Sequence, residues 1–168
     1  MKWIGAGIVI AVCSWFGFSC AAAQKAEEKA LRQLASILDY IGCELQYRLT
    51  ALPELCKQAA SEGKGIVYRV FSLLAEELEA QVAPDAMYCM HAAIAHTKNI
   101  PPVTKSALLS LGQSMGKFDL AGQLKGLEAV RGFCREELDK LTENREPRLR
   151  SYQTLGVCAG AALVILFI

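Results

Sequence analysis

The chain has 168 residues, 53% of them hydrophobic, with a mean hydropathy of +0.26, high for a soluble protein. Its 18 Lys/Arg against 17 Asp/Glu give a net charge of +1, and there is neither a basic stripe nor interleaved aromatics, so nucleic acid is excluded as a partner. One domain is the expectation at this length.

The hydrophobic excess lies at the ends. All 17 acidic residues and 17 of the 18 Lys/Arg lie between Lys25 and Arg150, and only Lys2 falls outside. Trp3 to Ala23 is a run of 21 uncharged residues between Lys2 and Lys25. A bilayer core of about 30 Å needs roughly 20 helical residues, whereas a signal peptide has a core of about 7–15. Residues 1–23 are therefore read as an uncleaved transmembrane helix. Phe18-Ser19-Cys20-Ala21-Ala22-Ala23-Gln24 does resemble a cleavage region, and a lipoprotein reading would place Cys20 after Gly17-Phe18-Ser19, where a leucine-like residue is expected in place of Gly17.

The middle, residues 24–150, reads as helix throughout. Leu31, Leu34, Leu38, Ile41 and Leu45 recur at spacings of three and four, one stripe of a helix that continues the first span. Gly42 is the one strong breaker between Ala21 and Arg48. A break at Thr50 to Pro53 starts a short helix over Pro53 to Glu62. Gly63-Lys64-Gly65 ends it, with glycine suited to the left-handed C-terminal conformation. A third helix, Ile66 to Val82, turns Ile66, Val70, Leu73, Leu74 and Leu78 inward and Glu76, Glu77 and Glu79 outward. Pro84-Asp85 opens a fourth over Asp85 to Thr97. Asn99-Ile100-Pro101-Pro102 is a connector, because paired prolines exclude a continuing helix. A fifth helix covers Val103 to Met115. Asp119 caps a sixth, in which Leu120, Leu124, Leu127, Cys134, Leu138 and Leu141 line one side and Arg131 interrupts it.

Ser151 to Ile168 carries no charged side chain, and Tyr152 stands where an aromatic ring prefers the water boundary. Residues 151–168 are read as a second transmembrane helix, reached through a bend at Pro147. The expected architecture is all-α: an antiparallel bundle of about six helices, its first and last continuous with N- and C-terminal spans. Flanking Lys/Arg (Lys25, Lys29 and Arg32; Arg145, Arg148 and Arg150) place the bundle in the cytoplasm and both termini across the membrane.

Chemistry-bearing patterns are few. Cys43, Cys56, Cys89 and Cys134 lie far apart without zinc-ligand spacing and read as buried, reduced thiols; two disulfides in an exported domain are the alternative. His91 and His96 are five apart, on different helix faces, unlike a metal-binding pair. Glu76, Glu77 and Glu79, like Glu136, Glu137 and Asp139, read as solvated faces, with an acidic docking edge as rival. Gly63-Lys64-Gly65 lacks P-loop spacing. No catalytic residue, metal or cofactor is expected, and the chain is not read as an enzyme. Two pairs of glycines stand out. Gly112 and Gly116 share one helix edge, and each costs about 1 kcal/mol against alanine, which calls for tight packing or a partner helix. Gly156 and Gly160 form a small-xxx-small pair in the second span, suited to packing against the first span, with its Gly5, Gly7 and Gly17, or against another protein.

Taken in order, these residues resemble the stage III sporulation protein AB family of endospore-forming bacteria. The carriers are Trp15-Phe16-Gly17-Phe18, Arg32-Gln33-Leu34, Glu44-Leu45-Gln46-Tyr47 and Thr50-Ala51-Leu52-Pro53-Glu54. They continue with Leu111-Gly112, Met115-Gly116, Asp119 and Gln123 in an LGxxLGxxDxxxQ motif, and with the ending Leu155-Gly156-Val157 to Ile168. Ala51 stands where a proline is usual, Met115 replaces leucine, and Phe167 sits in an otherwise aliphatic ending. The resemblance implies a helical domain similar to the inner-membrane platform protein of type II secretion and type IV pili. It further implies a place in the mother-cell membrane facing the forespore, in an apparatus that joins the two cells. A cytoplasmic secretion-type ATPase, other membrane subunits and membrane lipid are the expected partners. Glu44, Tyr47, Leu52, Pro53, Glu54, Gly112, Gly116, Asp119 and Gln123 are the expected structural or partner-contact set. The alternative is an exported, tail-anchored helical sensor or chaperone-like bundle in the intermembrane space, which predicts a cleaved N-terminus or oxidised cysteines.

Overall fold

The computed structural model describes residues 2–47, 50–80, 85–115 and 120–143, and their side chains other than those of residues 2–18, 20, 21 and 120. Six helices follow in order: α1 (Lys2–Tyr47), α2 (Leu52–Ser61), α3 (Ile66–Glu79), α4 (Ala86–His96), α5 (Pro102–Ser114) and α6 (Leu120–Glu143). No strand occurs among the described residues. The chain divides into two compact units, Glu27–Leu138 and Met1–Ala26 with Asp139–Ile168. Among the described residues no helix is long and apolar enough to cross a membrane. Most side chains of the uncharged N-terminal run, and all of residues 144–168 with Pro147, Gly156 and Gly160, lie outside that set, as do Gly116 and Asp119.

Within the unit Glu27–Leu138, α1 supplies the spine of the core. Leu31, Leu34, Leu38, Ile41 and Leu45 are all buried, as expected, together with Ala30 and Ile37. The helix passes through Gly42, where nothing lies within 4 Å of an added Cβ, so this glycine weakens the helix without breaking it. The α2 helix returns along α1: the Tyr40 hydroxyl donates to Gln58 Oε1 (3.2 Å), and the Gln33 amide donates to the Lys64 carbonyl (3.2 Å). It opens at Leu52 with Ala51 extended and Pro53 in the first turn, so the usual proline at position 51 is not needed for the start. The α2–α3, α3–α4 and α4–α5 pairs pack in succession, an antiparallel order joined by short connections.

Two expectations need correction. The glycine turn is not left-handed at the end of α2, whose last cap, Glu62, keeps a right-handed helical conformation. Gly63 is small because a Cβ there would lie 2.5 Å from the Tyr68 ring. Gly65, with φ 155°, lies where a Cβ would overlap the Gln33 amide, and the left-handed non-glycine residue among those described is Asn99 (φ 62°). The α3 stripe is also rotated from the expected one. Val67, Val70, Phe71, Leu74 and Ala75 are buried, whereas Ile66, Leu73 and Leu78 are half-buried, and the helix stops at Glu79. On α6 the buried positions are Leu127, Val130 and Cys134; Arg131 turns outward and pairs with Asp39 of α1 (3.0 Å).

The N-terminus of α5 has an unusual cap. Pro101 has no side chain to cap it, and Pro102 has no amide proton to satisfy. The next two amides, which have no partner inside a helix, donate to one carboxylate from α1: Val103 N–H to Glu27 Oε2 (3.3 Å) and Thr104 N–H to Glu27 Oε1 (2.8 Å). The Thr104 hydroxyl adds a third bond to Oε1 (2.7 Å), and Lys105 N–H starts the helical ladder on the Pro101 carbonyl. Glu27 and Thr104 are both buried. Hydrogen bonds to a charged group contribute about 1.5–3 kcal/mol, and leaving such donors buried and unpaired costs more than the bonds themselves contribute. Glu27→Ala is therefore expected to lower unfolding free energy by about 3 kcal/mol, and Glu27→Gln, which keeps one acceptor, by roughly half of that. Chemical denaturation followed by circular dichroism, with an unchanged m value, reads both.

Candidate functional site

The motif residues separate into two places. Glu44 and Tyr47 end α1, and Leu52, Pro53 and Glu54 begin α2, so the five share the corner between these helices. The corner is braced from within: Gln58 accepts from Tyr40 and donates its own amide to Glu54 Oε1 (2.9 Å). Tyr47 is 80% exposed, a large aromatic side chain facing solvent, and Glu54 is exposed beside half-buried Leu52 and Pro53.

Gly112 belongs elsewhere. It is buried at the α4–α5 crossing, where an added Cβ would lie 2.9 Å from Met90 Cβ and 3.5 Å from Met87 Cα. Of the two reasons considered for this glycine, packing inside the bundle is the one the structure supports, and Gly112 is not on a partner surface. Gly126, which the sequence reading passed over, does the same for α6: a Cβ there would lie 2.5 Å from Ser114 Cβ, at the end of α5. Gln123 is half-buried near the start of α6. Glu27 was also missed. Its signal was present, because positions 27, 31, 34, 38 and 41 form one stripe, and a carboxylate on a core stripe requires a buried partner.

The remaining candidate chemistry is quiet. His91 and His96 are both exposed on α4. Among the described residues no group of three or more His, Cys, Asp or Glu could hold a metal ion. Glu76 and Glu79 are exposed and Glu77 half-buried, with Lys57 bridging to Glu79 (3.4 Å); Glu136 and Asp139 are exposed and Glu137 half-buried. Cys43, Cys56, Cys89 and Cys134 are free, which removes the disulfide alternative for these four. Three are buried as expected. Cys43 departs from the expectation, because it shares the outer side of α1 with Ser36 and Asp39. Burial pushes the Cys56 thiol up to about 12 and the Cys134 thiol up to about 11. Burial also raises Cys89, reinforced by the charges of Glu77 and Asp85. The thiolate is the nucleophile, so these thiols stay inert at neutral pH.

The sequence pattern of the stage III sporulation protein AB family matches residues 2–168. The chain belongs to that family. A solved structure of a stage III sporulation protein AB shares the fold, with a TM-score of 0.62 at 16% sequence identity, over 73% of this chain and 98% of that one. No curated protein matches the chain. The match from residue 2 to residue 168 includes both uncharged ends as well as the six-helix unit.

Two measurements check this placement of residues. Gly112→Ala is expected to cost about 1–3 kcal/mol by overpacking against Met90, whereas Tyr47→Ala should change stability by less than about 0.5 kcal/mol. With Cys13, Cys20 and Cys158 replaced by serine, Cys43 should react with a maleimide in the native chain, and Cys56 and Cys134 only after unfolding. Their thiols lose a proton in the unfolded state near 9.0 but stay protonated when folded, so stability is full below pH 9. It should fall above that by up to about 1.4 kcal/mol per pH unit for each thiol, until the folded thiols also ionise. A flat stability curve from pH 8 to 10.5 would contradict that burial.

Proposed function

We propose that the chain is a non-enzymatic, membrane-tethered platform subunit of the channel-like secretion apparatus that joins the mother cell and the forespore. In that role it links a cytoplasmic secretion-type ATPase to the membrane components. The observation that carries this reading is the family match across residues 2–168. Tethering is supported by the uncharged runs at Trp3–Ala23 and Ser151–Ile168, each close to the roughly 20 residues that a bilayer core requires. α1 is a single helix from Lys2 to Tyr47, so its N-terminal part and the spine of the bundle are one element.

The lysines and arginines that flank both runs on the bundle side favour a cytoplasmic bundle in the mother-cell membrane, with both termini across it. The physical role is transmission. Glu27 ties α1 to the start of α5, and the close α4–α5 crossing at Gly112 ties α5 to α4, so a tilt of α1 moves the bundle as a body. The exposed corner at Tyr47 and Glu54 is the face offered to the ATPase. Inert thiols and solvated histidines support a role without catalysis.

Topology tests the reading first. Cys43 and an introduced Lys64→Cys are exposed, which makes them better reporters than buried Cys56 and Cys89. An impermeant maleimide should label both only after the cells are opened. Labelling in intact cells would remove the ATPase as a direct partner and favour the exported bundle. If the bundle is cytoplasmic, Tyr47→Ala with Glu54→Lys should reduce recovery of the ATPase with the chain on the order of tenfold. Undiminished recovery would remove the corner as the docking face.

A further inference from the structure

Every helix presents an exposed Lys, Arg, Asp or Glu to solvent except α4. From Ala86 to Thr97 the chain has none of these residues at all. One side of α4 is core: Cys89, Met90, Ala93 and Ile94 are buried, and the helix packs against α3 and α5. The other side is turned to water. Tyr88, His91 and Ala95 are exposed and Ala92 is half-buried, and their spacing of i, i+3, i+4 and i+7 makes them one stripe. Tyr88 is 64% exposed. A helix whose outer face meets water carries charge there, whereas one that is uncharged all round is covered on both sides. The chain itself does not cover it. α6 is held elsewhere, by Arg131–Asp39 to α1 and by Gly126 against Ser114 at the end of α5.

Sizes and charges along the stripe select what covers it. The first charges beyond the uncharged stretch are Asp85 before it and Lys98 after it. Asp85 also accepts the Met87 amide (3.2 Å), which fixes its carboxylate at the start of α4. Laid antiparallel on a second copy, about a centre between His91 and Ala92, α4 sets Tyr88 against Ala95 and Asp85 against Lys98. One register satisfies both pairs, because the members of each are equally distant from that centre. A large side chain then meets a small one, and unlike charges meet at each rim. The helices beside α4 carry charge in the same sense. Arg69 and Lys105 stand in the first turns of α3 and α5, at the Lys98 end, and Glu76, Glu77 and Glu79 close α3 at the Asp85 end. A parallel copy would set Tyr88 on Tyr88 and like charge on like. We infer that α4 is a self-association face, on which two copies of the chain meet antiparallel about a two-fold axis beside His91. A two-fold contact uses one patch twice and so requires this self-complementarity, and interface centres are poor in charge and rich in aromatics. The face is one helix of 11 residues, about 16 Å long. Stable complexes bury roughly 800 Å² a side, so this association is weak and rises with concentration. It needs neither the ATPase nor a membrane.

The test uses the full chain in a mild detergent, with Cys13, Cys20, Cys43 and Cys158 replaced by serine. Sedimentation should give a mass that rises from one chain towards two with concentration. His91→Cys stands beside the axis, so a short bis-maleimide should join two chains through it, and several-fold less through Ser36→Cys on the outer side of α1. Ala95→Tyr is the deciding variant. It adds apolar surface but puts a ring where Tyr88 of the second copy must lie, and should weaken association about tenfold. Lys98→Glu sets like charges at both rims and should weaken it several-fold. Both positions are exposed, so circular dichroism should show the fold unchanged. A single-chain mass at every concentration would overturn the face and leave α4 to a different protein. Unchanged or stronger association of Ala95→Tyr would do the same, as the mark of unspecific apolar contact. A doubled mass without the His91→Cys crosslink would move the contact off α4.

Discussion

Much of the bundle depends on one carboxylate in the wrong place for a surface charge. α4 stops at His96, ahead of the paired prolines, and the prolines leave α5 without a side-chain cap of its own. Two amide donors then face the interior, and a buried donor without a partner costs about 1–3 kcal/mol. Glu27 resolves this from a different helix, 76 and 77 residues away in sequence. The carboxylate in turn loses water, a penalty of several kcal/mol that its three hydrogen bonds and the positive end of α5 offset. Neither partner is stable in its position without the other, so the contact fixes which helix end meets α1. The α4–α5 crossing then follows, because Gly112 lets α5 approach the backbone of α4 at Met87.

Where the chain has a strong period, its fold could be read directly. The α1 stripe from Leu31 to Leu45 was legible because five large aliphatic residues recur without interruption. In α3 the same method placed Val70 and Leu74 correctly but put Ile66, Leu73 and Leu78, which are half-buried, inside with them. Ile66-Val67-Tyr68-Arg69-Val70-Phe71 offers apolar residues on two faces, and Phe71 and Val67 took the interior in place of Leu73 and Leu78. Arg131 looked like a fault in the α6 stripe until Val130 proved to be the inward residue. The glycines were visible as anomalies, yet their reasons were not. Gly63, Gly65, Gly112 and Gly126 are each small because of a particular neighbour on another segment, which no local pattern discloses. Glu27 was hidden because a charge beside Lys25, Glu28 and Lys29 reads as part of a solvated face.

The surfaces were the least legible feature, for a related reason. Acidic and basic residues are mixed along most of the chain, although residues 70–90 hold four carboxylates and no Lys or Arg. Placing them in space requires the alternation of helix direction, which brings the α2–α3 and α4–α5 connections to one end and the α1–α2 and α3–α4 connections to the other. A motif-based list of contact residues therefore mixed an exposed corner, Tyr47 with Glu54, and an interior packing position, Gly112. Family resemblance supplied the order of these residues without their exposure. Burial separated them, and it is burial that makes the thiols inert while the corner stays exposed.

The length of chain between Glu27 and Thr104 also has a consequence during synthesis. The pairs α2–α3, α3–α4 and α4–α5 are local hairpins, which can form as soon as each second helix is complete. The cap of α5 cannot. A ribosome adding about 5–20 residues per second needs roughly 4–15 s to travel the 77 residues from Glu27 to Thr104. Throughout that interval the core stripe of α1 lacks α5, and Glu27 stays in water. The spine is thus the first helix made and the last to be locked.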